Sequence, residues 1–435
     1  MSRLGVNAIA AMLVVSASYG QPSATVERDG LGWQEKVERT LPLAAGDSLW
    51  IKSAQGQIDV TTGNSDQARL VIVKKARSFT EGEARRLFAA MEVQSAAVPG
   101  GARVTVASAS GEGVNGLEVT VQAQVPSRCS VHLATMGGAI TVADLSGSVD
   151  ALTQGGSIDV GQLTDGSFDL VTAGGSIGCR GARNGQGRAR TSGGEINVGE
   201  VSGDLELSTQ GGGITVGRVG GALEAHTAGG SIEIAAGGTR VLAATAGGSI
   251  TVGSSAGPVE VSTAGGSIRI GPVAGAVKAS TAGGEVAIGE ADGAVEAETA
   301  GGGIRIAGSG GPVKAHTTGG AIRIAKARGS IEAVTTGGSI EAELALADPA
   351  ADTHCNLETL GGDLTLSLPA TLAATVDAEV TVDGWWSRSC TVHTDFPLAV
   401  KGEGSRRITA EGTLNGGGDL VKLRTTNGDI NIRRR

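Results

Sequence analysis

A short unit that recurs along the chain decides the fold. One copy reads Thr263-Ala264-Gly265-Gly266-Ser267-Ile268-Arg269-Ile270, and after a short link it continues as Gly275-Ala276-Val277-Lys278-Ala279-Ser280 before restarting at Thr281. Its Gly-Gly pairs lie 18 or 19 residues apart and begin at residues 137, 155, 174, 193, 211, 229, 247, 265, 283, 301, 319 and 337. A constant period over so many copies indicates a repeat architecture.

Each copy carries two runs in which apolar and polar residues alternate. Ile268 and Ile270 share one side of the first run and Arg269 takes the other, and Val277–Thr281 alternates in the same way. A period of two is typical of β-strands. Two short strands cannot bury an inner face alone, but stacked copies can, so the sequence predicts an all-β, single-chain β-solenoid (β-helix) with about 18 residues per rung. The Gly-Gly pairs between the runs allow sharp corners and positive φ.

The composition agrees with a narrow, ordered solenoid. Glycine accounts for 73 of 435 residues, and aromatic residues make up only 2%. A content of 40% hydrophobic and 18% charged residues is too apolar for a disordered chain. The formal net charge of −9 argues against a general nucleic-acid binder, which needs clustered Lys and Arg.

Two columns of side chains are predicted from the repeat. The position two residues before each Gly-Gly is expected to form a ladder of hydrogen bonds at the corner, and its members are Thr153, Thr172, Thr191, Thr209, Thr227, Thr245, Thr263, Thr281, Thr299, Thr317 and Thr335. An outward column alternates in sign, which keeps like charges apart, and reads Glu260, Lys278, Glu296, Lys314 and Glu332.

The chain divides into four regions. Residues 1–20 read as a signal peptide, with Arg3 before a short apolar stretch and small residues for cleavage. Residues 21–136 are predicted to form an N-terminal α+β cap with one helix at about 81–93, its apolar face made of Ala84, Leu87, Phe88 and Met91. Residues 137–345 form the solenoid, and residues 346–435 provide further rungs, an insert and a C-terminal β cap. No later segment is apolar enough to span a membrane, so we expect export to the periplasm, cell surface or medium.

The four cysteines are Cys129, Cys179, Cys355 and Cys390. Export permits disulfides, and Cys355 and Cys390 are the expected pair because both lie in the C-terminal region. A zinc site built from His354, Cys355, Cys390 and His393 is the less favoured alternative. Cys129 and Cys179 have no evident reason to meet.

Catalytic and cofactor motifs are not evident, so we predict no catalytic residue, metal or cofactor. His226 and His316 share a column but lie five rungs apart. Asp144, Asp150, Asp159 and Asp169 lack the dense repeat of calcium-binding β-rolls. The pair Trp385 and Trp386 is a candidate binding feature. The two residues either pack on the cap or form a contact site for a glycan or a protein. Tryptophan is enriched at binding hot spots, which is the reason to consider a contact site.

The repeat and its flanks resemble the bacterial putative-adhesin β-strand-repeat family. The residues that carry the resemblance are the Thr-x-Gly-Gly-x-Ile-x-Val pattern, the Val125-Pro126 junction and the closing Gly416-Gly417-Gly418 and Asn427-Gly428-Asp429-Ile430. The resemblance implies an adhesin-like protein and supplies no catalytic residue.

Two hypotheses about function follow. The first is an exported, non-enzymatic solenoid that acts as an adhesion module or cell-envelope scaffold, with an envelope protein or glycan as its partner and no nucleic acid. The alternative is a polysaccharide lyase or hydrolase on a β-helix scaffold. The oligomeric state does not follow from the sequence.

Overall fold

The computed structural model describes residues 24–345, 352–383 and 390–435. The predicted signal peptide and the pair Trp385 and Trp386 lie outside these ranges. The described chain is all-β, with one short helix and two long sheets rich in parallel strands. The prediction of an all-β, solenoid-like repeat is therefore confirmed.

The elements fall into three groups along the chain. The first group comprises β1 (Ala24–Asp29), β2 (Gly32–Pro42), β3 (Ser48–Ser53), β4 (Gln57–Gly63), β5 (Gln67–Ala76), α1 (Glu81–Ala90), β6 (Met91–Val98), β7 (Gly101–Ser108) and β8 (Leu117–Pro126). The second comprises β9 (Ser130–Thr135), β10 (Ile140–Val142), β11 (Leu145–Ser146), β12 (Val149–Thr153), β13 (Ile158–Thr164), β14 (Phe168–Thr172), β15 (Ile177–Arg183), β16 (Gly187–Arg190), β17 (Ile196–Val201), β18 (Leu205–Ser208), β19 (Ile214–Val219), β20 (Ala222–Thr227), β21 (Ile232–Ala236), β22 (Arg240–Thr245), β23 (Ile250–Val252), β24 (Val259–Thr263), β25 (Ile268–Ile270), β26 (Val277–Thr281), β27 (Val286–Ala291), β28 (Val295–Thr299), β29 (Ile304–Ser309), β30 (Val313–Thr317), β31 (Ile322–Ala327), β32 (Ile331–Thr335) and β33 (Ile340–Leu344). The third comprises β34 (Cys355–Thr359), β35 (Leu364–Leu368), β36 (Ala374–Thr381), β37 (Val392–Thr394), β38 (Ala399–Lys401), β39 (Arg407–Leu414), β40 (Asp419–Thr426) and β41 (Ile430–Arg434).

The two strands of each copy lie in two different sheets, here called sheet A and sheet B. Sheet A begins β1-β2-β5-β8-β4-β10-β13 and then takes every second strand up to β35, β41 and β37. Sheet B begins β6-β7-β3-β9-β12 and ends β34-β40-β36-β39-β38. The first eight strands thus continue both sheets beyond the repeat.

Parallel pairing places equivalent residues of successive copies next to one another. Val259 lies beside Val277, and Val277 lies beside Val295. The same register places Lys278 between Glu260 and Glu296, and its Nζ lies 3.3 Å from a carboxylate oxygen of Glu296. The predicted alternation of charges along this column is therefore present in the pairing. Each exposed ion pair of this kind contributes at most a fraction of a kcal/mol.

Apolar side chains fill the interior at the predicted positions. Ile268 and Ile270 are buried while Arg269 between them is exposed, which confirms the inward and outward assignment. Phe168 is buried and lies beside Gly187 of the next strand, where an added Cβ would be 2.1 Å from the phenyl ring. At this point the interior holds a ring because the neighbouring residue has no side chain.

The threonine ladder forms as predicted. Thr263 Oγ1 donates to the carbonyl of Gly248 in the preceding copy at 2.8 Å, and it accepts from the N–H of Gly266 in its own copy at 3.3 Å. Every buried hydroxyl in the column is thereby satisfied by backbone, which burial requires. The same bond to the neighbouring copy is made by Thr135, Thr153, Thr172, Thr191, Thr209, Thr227, Thr245, Thr281, Thr299, Thr317, Thr335, Thr359 and Thr425.

Glycine could adopt a positive φ at the Gly-Gly corners, but the corners do not use it. Neither Gly265 nor Gly266 has a positive φ, and the same holds for the other pairs of the repeat. What requires glycine is the approach of the neighbouring copy. A Cβ on Gly266 would lie 2.1 Å from the carbonyl oxygen of Gly248, whereas one on Gly265 would lie 3.2 Å from that of Gly247. The second glycine of each pair is therefore the position that close stacking of the backbone demands.

The predicted helix is present but shorter than expected. Helix α1 ends at Ala90, and Met91 begins strand β6 instead of completing the apolar face of the helix. Thr80 caps its first turn by accepting from the N–H of Glu83. At the other end the Nζ of buried Lys74 donates to the carbonyls of Phe88 and Met91, at 3.0 and 2.6 Å. Lys74 thus provides the hydrogen-bond donor for carbonyl groups that the end of the helix leaves without one.

Across the described residues, no helix combines the length and hydropathy needed to cross a lipid bilayer.

Candidate functional site

One column on the outer face of sheet B carries an unusual set of side chains near its N-terminal end. Strand β3 lies between β7 and β9, which places Trp50 beside Arg103 on one side and beside His132 on the other. The next two strands continue the column with Asp150 and Asp169. The five strands β7, β3, β9, β12 and β14 therefore each supply one side chain to a single row.

The aromatic part of this row is a stack. The rings of Trp50 and His132 are 5.3 Å apart and nearly parallel, with an interplanar angle of 6°. The guanidinium carbon of Arg103 lies 5.9 Å from the centre of the indole, a cation–π distance. Both faces of the indole are consequently covered, and only its edge is presented to solvent.

The adjacent outward column adds an apolar strip. Lys52, Ala134, Leu152 and Val171 follow one another there, two residues along the same strands. Leu152 is 51% exposed, although large apolar side chains usually avoid such exposure. We refer to the outward residues Lys52, Trp50, Arg103, His132, Leu152, Val171, Asp150 and Asp169 as the Trp50 surface. They border a shallow hollow of about 560 Å³.

Charge is separated along the Trp50 surface. Arg103 and Lys52 lie at the end nearer the N-terminal strands, while Asp150 and Asp169 lie at the other end. His132 in the middle contacts Asp150, with 2.7 Å between Nδ1 and a carboxylate oxygen. The arrangement is an apolar centre with a basic flank and an acidic flank, which suits binding.

The residues of the predicted metal alternative separate in the structure. His354 points outward and its Nδ1 lies 2.5 Å from a carboxylate oxygen of Asp352 and 3.6 Å from one of Asp419. Cys355, the next residue, is buried. Successive side chains of a strand face opposite sides, so His354 and Cys355 cannot bind one ion. His393 instead contacts the hydroxyl of Thr391 at 2.9 Å.

The cluster of Asp352, His354 and Asp419 holds two strands together. Their ligand atoms lie within 4.8 Å of one another, close enough to surround a cation. The other oxygen of Asp419 accepts from the N–H and the hydroxyl of Thr353, at 2.8 and 2.9 Å. These bonds join the start of β40 to the entry of β34, so the cluster has a structural explanation. The hydrogen bond that His354 donates to Asp352 raises the pKa of His354 and lowers the pKa of Asp352.

The cysteines are buried in the core. Burial raises the pKa of Cys129 to about 12, of Cys179 to about 11 and of Cys355 to about 12, so these thiols are not nucleophiles at neutral pH. Cys355 is a thiol that donates to the carbonyl of Thr353 at 3.5 Å. Its disulfide with Cys390 stays a prediction.

The aspartates considered for calcium are divided between the sheets. Asp144 and Asp159 line a groove beside sheet A, where Asp144 pairs with Arg180 at 3.4 Å. Asp150 and Asp169 belong to the Trp50 surface on sheet B. His226 and His316 lie apart, each beside a glutamate of its own face, Glu224 or Glu332.

A second exposed apolar group lies at the N-terminal end. Leu31 is 92% exposed in the turn between β1 and β2, and Phe79 is 98% exposed in the link before α1. Both border a hollow with Trp33, but they stand on connecting segments and not on a sheet. The Trp50 surface is the better candidate because a rigid sheet fixes its side chains.

Sequence reasoning missed the Trp50 surface, although one signal was available. In Ser48–Ser53 the apolar residues Leu49 and Ile51 face inward, so Trp50 between them has to face outward. The partners Arg103 and His132 were beyond prediction because only the pairing of β7, β3 and β9 brings them to Trp50.

The chain matches no protein-family model and no curated protein. Several solved structures that resemble it are named as adhesion proteins, and another is named as a putative lipid binding protein. A putative adhesin from Bacteroides fragilis is 15% identical, with 58% of this chain and 96% of that chain covered and a TM-score of 0.30. A putative adhesin from Parabacteroides distasonis is 11% identical, with 68% and 96% covered and a TM-score of 0.25. A putative cell adhesion protein from Clostridium sporogenes is 9% identical, with 95% and 100% covered and a TM-score of 0.16. These values leave the function of this chain to be inferred from its own residues.

Proposed function

We propose that the chain is an exported, non-enzymatic adhesion or cell-envelope binding module that makes its contact through the Trp50 surface. The proposed module is a β-solenoid of 18-residue rungs, with residues 21–136 and 346–435 as its caps. The observation that carries the proposal is the outward apolar centre made of half-buried Trp50 and exposed Leu152, which lies between a basic and an acidic flank of one rigid sheet. A rigid scaffold that displays such a centre is built for contact with a partner.

The stack favours a protein partner over a glycan. Sugars bind aromatic side chains by lying on a ring face, and both faces of Trp50 are already covered by His132 and Arg103. An exposed leucine beside a tryptophan edge, flanked by charges, resembles the centre of a protein interface. The predicted contact pair Trp385 and Trp386 remains a second proposed site.

The test is binding of the purified protein to envelope fragments from the producing bacterium, measured by sedimentation. We expect Trp50→Ala and Leu152→Glu to reduce binding about tenfold or more. Leu360→Glu is the matched control, because Leu360 is similarly exposed, at 56%, but lies near the other end of the solenoid. Protease treatment of the fragments should abolish binding, whereas periodate oxidation of their glycans should not.

The enzymatic alternative is tested with the same preparation. Incubation with a panel of neutral and acidic polysaccharides should release no reducing ends above the level of heat-denatured protein. Measured cleavage would refute the proposal, and so would binding that persists in both Trp50→Ala and Leu152→Glu while the fold is intact by circular dichroism.

A further inference from the structure

We propose that the partner of the Trp50 surface is a second copy of this chain, packed face to face with its solenoid axis reversed. This inference rests on the proposed function, since it names the partner of the same site. It follows from the order in which basic and acidic groups succeed one another along the surface.

The Trp50 surface is complementary to itself when inverted. From one end to the other its main column reads Arg103, Trp50, His132, Asp150 and Asp169. The order runs from a basic flank through the aromatic pair to an acidic flank. An inverted copy therefore places the acidic flank over the basic flank, with Trp50 over Asp150 and His132 over His132 at the centre. Surfaces that match themselves after a twofold rotation are the ones that form symmetric dimers.

The rotation can be specified from the strand register. A twofold axis that lies in the interface, parallel to the strands and near His132, reverses the solenoid direction and keeps the column in line. Arg103 of one copy then faces Asp169 of the other, which is four strands away in its own chain, or roughly 19 Å. In the neighbouring column Leu152 of one copy faces Lys52 of the other, once on each side of the centre. Each contact occurs twice, except that of His132 with its copy on the axis.

The size of the contact predicts a weak dimer. Five strands at about 4.8 Å spacing and a width of about 17 Å give an area of roughly 400 Å² per copy. Stable dimers bury about 800 Å² per partner, so one pair of copies is expected to dissociate readily. Many copies displayed on one surface would still hold together, because the separate weak contacts act in parallel. Such an arrangement suits adhesion between two surfaces that bear the same protein.

The test is aggregation of beads that carry the chain without its predicted signal peptide. Wild-type beads should cluster, and clustering should fall with added salt. Arg103→Glu and Asp169→Arg beads should each cluster about tenfold less, because each variant opposes like charges at both copies of the contact. Mixing the two variants restores opposite charges at both contacts, so mixed beads should cluster with each other as wild type does. Leu360→Glu beads should behave as wild type.

The outcomes separate this inference from the proposed function. Clustering of Arg103→Glu beads at the wild-type level, or failure of the mixed beads to cluster when both variants are folded, would overturn the inference. If wild-type beads do not cluster while Leu152→Glu still abolishes binding to envelope fragments, the second copy is the wrong partner and the proposed function stands. If wild-type beads do not cluster and Leu152→Glu leaves binding to envelope fragments unchanged, both the inference and the proposed function are contradicted.

Discussion

The two glycines of each corner pair differ in how much room they leave for a side chain. In the pair Gly337 and Gly338, an added Cβ would lie 3.6 Å from the nearest backbone atoms of the neighbouring copy at the first position, but 2.1 Å from the Gly320 carbonyl oxygen at the second. The first distance is an ordinary contact and the second is a clash. Stacking of backbones, and not the choice of φ, therefore selects glycine here.

The corner makes a prediction for a matched pair of variants. Gly338→Ala should destabilise the protein by about 1–3 kcal/mol because the two copies have to separate to admit the methyl group. Gly337→Ala should be neutral or slightly stabilising, since alanine reduces the freedom of the unfolded chain. Thermal melts followed by circular dichroism compare the two. Equal melting temperatures would show that the copies are less closely stacked than described.

A residue-scale prediction concerns the pH dependence of the cluster at His354. The hydrogen bond to Asp352 raises the pKa of His354 above its ordinary value of 6.5. The imidazolium therefore stabilises the folded state at low pH, and this contribution is lost as the pH rises through the raised pKa. The pKa values of Asp352 and Asp419 are lowered, by bonds from His354 and Thr353 respectively, so their contribution is lost as the pH falls through the lowered pKa values.

The measurement is an NMR titration of the His354 ring. Asp352→Asn should bring its pKa down toward 6.5, and Asp363→Asn, in the next strand of the other sheet, should leave it where it is. An unchanged His354 pKa in Asp352→Asn would show that the two side chains are not bonded in solution.

At the scale of elements, the alternation of Ile, Val and Ala with polar residues was enough to predict strands and their inner faces. The end of α1 was not predictable in this way. Met91 continues the apolar spacing of the helix, but its backbone pairs with Ser108 in β7. Local periodicity cannot reveal that a tertiary pairing has displaced the last turn.

The helix gives a prediction of its own through Lys74. This buried amine pairs with Glu35 at 2.9 Å and donates to two carbonyls at the end of α1. Lys74→Met should loosen α1 by about 3 kcal/mol, because it leaves a largely buried carboxylate and the carbonyls without a donor. Hydrogen exchange over residues 81–90 measures the effect. The double variant Lys74→Met/Glu35→Leu should recover part of the protection, and an exchange rate equal to wild type in the single variant would contradict the role given to Lys74.

For the whole molecule, the repeat itself was the most predictable feature and the contact surface the least. The period follows from sequence because every copy repeats the same register, as Val259, Val277 and Val295 show. The Trp50 surface depends on strands outside the repeat, whose order in the sheet, β7 then β3 then β9, does not follow their order in the chain. Long-range pairing of this kind leaves no local pattern.

The stacking predicts that whole copies can be removed. Deletion of residues 263–280 joins Ser262 to Thr281 and preserves the register on either side, so the product should be folded and slightly shorter. Deletion of residues 263–271 removes half a copy, so a strand of one sheet is followed by the wrong half of the next copy. The inward-facing residues after the deletion should then lose their register and become exposed. Circular dichroism and size-exclusion chromatography distinguish the two products. Comparable unfolding of both would mean that the period has no structural role.

The hydrogen bonds between copies, including those of the threonine ladder, run along the long axis of the molecule. A force that pulls the two ends apart therefore loads the copies in series, and the weakest contact yields first. Each copy that peels away exchanges about 4.8 Å of stack for roughly 60 Å of extended chain. Under tension the molecule would lengthen stepwise and dissipate work at each step, while the copies that remain stacked keep their shape.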